Sequence, residues 1–60
     1  MPPFKVIVNG SYVGDAMSLA DGLVMARQMA FRMGLKGGQI PVKFIDAANQ
    51  SAGAATIHCQ

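Results

Sequence analysis

A second cysteine is missing from this chain, and so is any glutamate. With Cys59 alone, an internal disulfide is excluded. A structural zinc site needs about four ligands. The only candidates are His58, Cys59 and three scattered aspartates, Asp15, Asp21 and Asp46. Neither a metal nor a cofactor is expected. Charge is scarce as well: charged residues make up 13% of the chain, while hydrophobic ones make up 52%. That balance excludes a disordered chain. No apolar run reaches the ~18 residues of a membrane span. The first residues, Met-Pro-Pro-Phe-Lys, lack the charged-then-apolar order of a secretory signal. The expected location is therefore cytoplasmic, and one lone thiol agrees with it.

Sixty residues make one small domain, residues 1–60, near the lower limit for folding alone. Small domains usually need a disulfide, a metal or association with another copy. The first two are gone, so association is the expected staple. The net charge of +2 comes from Lys5, Arg27, Arg32, Lys36 and Lys43. Dedicated nucleic-acid binders are usually more basic, with the charge clustered.

Phe4-Lys5-Val6-Ile7-Val8 is rich in β-branched residues and reads as a strand. Asn9-Gly10 follows, the strongest short hairpin signal, because a type I′ turn needs positive φ at both central residues. A two-residue loop sets Val8 opposite Ser11, Ile7 opposite Tyr12, Val6 opposite Val13 and Lys5 opposite Gly14. Ser18-Leu-Ala-Asp21 is a capping-box variant that predicts a helix over residues 19–33, stopped by Gly34. Gly22 inside it costs about 1 kcal/mol against Ala, and close approach of helix to sheet would justify it. Residues 35–38 read as a turn. Gly34-Leu35-Lys36-Gly37 is similar to the GxxG loop of KH domains, but a helix cap followed by a turn explains it more simply.

Ile40-Pro41-Val42-Lys43-Phe44-Ile45 reads as a third strand. Its proline demands an edge strand or a strand that begins after it. Residues 47–53 read as a loop and residues 54–59 as a short fourth strand. The expected fold class is α+β: a small antiparallel β-sheet with one α-helix packed on one face, ββαββ or ββαβ.

Strand alternation puts Phe4, Val6, Val8, Val13, Val42 and Phe44 on the helix side. Lys5, Ile7, Tyr12, Lys43 and Ile45 fall on the outer side, with Thr56 and His58 expected to join them. In the helix, Leu19, Leu23, Ala26, Ala30 and Met33 form the expected core line, flanked by Gly22 and Met29. A second apolar line runs through Ala20, Val24, Arg27 and Phe31. One sheet cannot cover both, so the second line is a candidate contact surface. Burying Phe31 is worth about 1.5–3 kcal/mol.

These readings point to a non-enzymatic protein–protein interaction module that self-associates as a homodimer. Its contact would use either Ala20, Val24, Arg27 and Phe31 on the helix or Lys5, Ile7, Tyr12, Lys43 and Ile45 on the sheet. A small bacterial or phage regulator or inhibitor that binds another protein fits the size and compartment. The alternative is a weak single-stranded nucleic-acid binder stacking a base on Tyr12 between Lys5 and Lys43. An enzyme is not expected: there is no carboxylate pair, and adjacent His58 and Cys59 would diverge to opposite faces of a strand.

Overall fold

The computed structural model describes residues 3–34 and 38–59. Their order is ββαββ: β1 (Phe4–Val8), β2 (Ser11–Ala16), α1 (Leu19–Arg32), β3 (Gly38–Ile45) and β4 (Ser51–Cys59). All neighbouring strands run antiparallel, in the spatial order β2-β1-β3-β4. The helix lies across one face, an α+β architecture.

Local signals account for the joints. Asn9 and Gly10 both have positive φ, 52° and 84°, as the type I′ turn requires. Ser18 is the N-cap, its hydroxyl accepting from the Asp21 N–H at 3.1 Å. The helix ends one residue sooner than expected, at Arg32, with Met33 as C-cap and Gly34 at φ 75°. Residues 35–37 of the expected turn lie outside the described residues, whereas Gly38 already belongs to β3. Asp46 closes the β3–β4 connection, where its Oδ1 accepts from the N–H groups of Ala48 (3.0 Å) and Gln50 (2.9 Å).

Three strand expectations need correction. The hairpin register holds for Val8–Ser11 and Ile7–Tyr12, then slips, so that Val6 faces Gly14, Lys5 faces Asp15 and Phe4 faces Ala16. The slip is a β-bulge, with Val13 the extra residue. It reverses the parity of the rest of β2, sending Ala16 into the core and Asp15 outward. Second, β3 is a central strand with its proline well inside it. The Pro41 carbonyl accepts from the Asn9 N–H at 2.9 Å. A strand residue aims its N and its carbonyl the same way, so the Pro41 nitrogen also faces the β1 side. There β1 has already ended, at Val8 opposite Val42, and no ladder bond is lost. Third, β4 begins at Ser51 rather than at residue 54. Ser, Ala and Gly have little strand preference of their own, and pairing with β3 supplies it.

The core comprises Val6, Val8, Ala16, Ala26, Ala30, Ile40, Val42, Phe44 and Ile57. Phe4 and Val13 are half-buried on its rim. From the helix, Gly22, Ala26 and Ala30 point inward. The expected core line is therefore rotated: Leu19, Leu23 and Met33 stay 39%, 38% and 41% exposed. Small residues occupy the contact because the helix sits too close for leucine. A Cβ at Gly22 would lie 2.6 Å from Phe44 Cε1 and 3.4 Å from Val6 Cγ2. Gly22→Ala therefore sets about 1 kcal/mol of helix propensity against about 1–3 kcal/mol of overpacking. Thermal or urea unfolding should register a net loss of about 1 kcal/mol. A variant as stable as the parent would mean that the Phe44 ring yields without cost.

Candidate interaction surfaces

The first surface is the outer side of α1. Phe31 lies nine residues beyond Gly22, which at roughly 100° per residue puts it diametrically opposite. Ala20, Val24 and Arg27 share its strip, and all four are exposed. Phe31 is 84% exposed and Val24 56%. Arg27, Gln28, Phe31 and Arg32 line an open depression at one end of the strip. The polar residues Asp21, Gln28 and Arg32 occupy one flank only. Met25 leads that flank down to β2, its sulfur 3.3 Å from where a Gly14 Cβ would stand. Leu19 leads the other flank toward β4, its Cδ1 3.8 Å from the corresponding point at Gly53.

The second surface is the sheet face away from the helix. The pairing brings together all five residues expected there. Ile7 stands between Tyr12 and Lys43, and Lys5 between Asp15 and Ile45. Lys5, Tyr12 and Lys43 are exposed, while Ile7 and Ile45 are half-buried among their neighbours. From β4, Ala54, Thr56 and His58 continue the face, all exposed, while Ile57 is buried and Ala55 half-buried on the helix side. This is the polar-out arrangement expected of β4.

Sequence reasoning missed Asp15 on this face. The bulge carries it there, and the Tyr12 hydroxyl donates to its Oδ1 at 2.7 Å. This hydrogen bond, with lesser help from desolvation and the carboxylate charge, raises the Tyr12 phenol above its ordinary 10.0. The face thus carries Lys5 and Lys43 against Asp15 beside its single aromatic. Also missed was the apolar flank of Leu19 and Leu23 above β4. Its signal is present in the sequence, since Ser51–Cys59 contains no Asp, Glu, Lys or Arg.

Among the described residues, no group of three or more His, Cys, Asp or Glu side chains could hold a metal ion. No described helix is long and apolar enough to cross a membrane. A comparison of the chain with protein-family models, with curated proteins and with solved structures finds no match.

The raised Tyr12 value means that folding favours the un-ionised phenol. The Tyr12–Asp15 link therefore stabilises below pH 10 and is lost as pH rises through the folded-state value. Tyr12 is the only tyrosine, so ultraviolet titration reads it directly. Asp15→Asn should lower the midpoint toward 10.0. An unchanged midpoint would rule the hydrogen bond out as the cause.

Proposed function

We propose that this chain is a non-enzymatic protein–protein interaction module, a homodimer that offers the outer face of α1 to another protein. The observation that carries the reading is the Val24–Phe31 strip, apolar and exposed on the side of the helix opposite the core. A 60-residue chain has little free energy to spare. Leaving a phenylalanine 84% exposed in it forgoes about 1.5–3 kcal/mol. A partner surface would recover that energy. Arg27 and Arg32 beside the strip favour a partner with an acidic rim. The carboxylates support the non-enzymatic part of the reading by their structural use: Asp15 holds Tyr12, Asp46 closes a turn and Asp21 lies in the first helical turn. A cytoplasmic regulator that binds and blocks its target, bacterial or phage-borne, is the role that suits such a module.

The nucleic-acid alternative is the weaker one. Its stacking residue is hydrogen-bonded to a carboxylate that repels phosphate.

Two measurements test the proposal. The molar mass across a dilution series should be that of a dimer at micromolar concentration, and a monomer throughout would sink the self-association. In Phe31→Trp, a nearly neutral change at so exposed a site, the indole should emit as in water in the dimer. A blue shift that tracks dimer formation would assign the helix strip to the second copy instead of another protein.

A further inference from the structure

We infer that the second copy binds along the outer edge of β4, antiparallel to it across a two-fold axis at Thr56, so that two four-stranded sheets merge into one. This rests on the self-association proposed above and adds where the contact lies.

The two sheet edges are built differently. β2 has six residues, interrupted by the Val13 bulge and carrying Asp15. Bulges and charges are the usual devices that stop an edge from recruiting another strand. β4 has nine residues, with no proline and no Asp, Glu, Lys or Arg. Its one irregularity is confined to Ala52, between the Phe44–Gly53 and Ile45–Ser51 pairs. Among the described residues, nothing pairs with its outer side.

The proline fixes which backbone groups that edge presents. Pro41 turns its nitrogen and carbonyl toward β1, so its partner Thr56 directs its own N–H and C=O away from β3. By alternation, Ala54 and His58 do the same. These three positions match themselves under a two-fold axis. Thr56 meets Thr56 of the other copy, and Ala54 meets His58 in both directions. Each pair exchanges two backbone hydrogen bonds. No charged side chain opposes its like across the axis.

The helix agrees with this edge. The polar flank of α1 overhangs β2, and the flank toward β4 carries Leu19 and Leu23, both over a third exposed. Above a β4–β4 junction Ala55 would meet Ile57 of the other copy in both directions beside the axis, while Leu19, over Gly53, would lie above the far end of the other copy's β4. Backbone complementarity and exposed leucine coincide at the β4 edge, whereas the β2 edge is bulged and lies beneath Met25 and the polar flank of the helix. The outer strip of α1 stays uncovered, as the proposed partner contact requires.

The test uses the full chain and two substitutions at one exposed position. Thr56→Pro removes an N–H that the monomer's ladder does not use. Thr56→Lys sets two like charges opposite each other at the axis. Molar mass is measured over one dilution series for the parent, both variants and Phe31→Ser, with circular dichroism as the check on folding. The expected result is a dimeric parent, a dimeric Phe31→Ser, and folded Thr56 variants whose dimer dissociation constant rises about tenfold or more, a change of about 1.4 kcal/mol. Added salt should partly restore the Thr56→Lys dimer and leave Thr56→Pro unaffected. If Thr56→Pro fails to fold, Thr56→Lys decides. Folded Thr56 variants that remain as dimeric as the parent overturn the edge assignment and leave self-association standing. So does loss of the dimer in Phe31→Ser alone. A parent that stays monomeric overturns both and leaves the edge to a foreign strand or to none.

Discussion

The helix meets the sheet through Gly22, Ala26 and Ala30, with Val6 and the ring of Phe44 immediately beneath Gly22. Everything else in the molecule is arranged around that short distance. Three residues with at most a methyl side chain let the helix axis come close. The sheet then supplies the bulk of the core from its own valines, isoleucines and phenylalanine. Dispersion falls off within an ångström of extra gap, so a thin layer between helix and sheet is filled from one side or the other. Here the strands fill it.

A helix that contributes small residues to the core must send its large ones elsewhere. Leu19 leans over β4, Leu23 follows one turn on along the same flank, Met25 packs against Gly14 of β2, and Val24 and Phe31 face outward. The apolar excess of the chain is thus divided in two. One part, on the β4 flank, adjoins a sheet edge free of Asp, Glu, Lys and Arg. The other, on the crest of the helix, stands alone. The two parts suit the two neighbours proposed above, a second copy at the edge and another protein at the crest.

The bulge at Val13 does the corresponding work in the sheet. One extra residue exchanges the faces of everything after it in β2. Ala16 enters the core, and Asp15 reaches the outer face beside Tyr12. That carboxylate lowers the positive charge of the face and engages its only aromatic hydroxyl. A face that reads as basic and aromatic in the sequence becomes a mixed one, two lysines against one aspartate.

Much of this was legible beforehand. The Asn9-Gly10 turn, the Ser18 cap, the Gly34 stop and the alternation of β1 and β3 follow from interactions among residues a few positions apart. Steric limits on φ and local hydrogen bonds decide them before any tertiary contact forms. Five outer-face residues could be assigned because two strands and one tight turn set their parity. The helix rotation was not legible, because leucine and alanine are both acceptable core residues. Only the distance to Phe44, twenty-two positions after Gly22, tells which the site can hold. The Val13 bulge was hidden for the same reason: the turn allows either register, and the burial of Ala16 selects one. Pro41 is tolerated in a central strand because β1 ends early and leaves a gap for its nitrogen, which no local signal discloses. By itself, then, the sequence determined the first hairpin, the helix and the third strand, their order and the inward faces of β1 and β3, all properties of short stretches of chain, and left the fourth strand open. Which side of the helix lies inward, and so which apolar surfaces remain exposed, was decided only by tertiary structure, because that choice depends on packing between residues far apart in sequence.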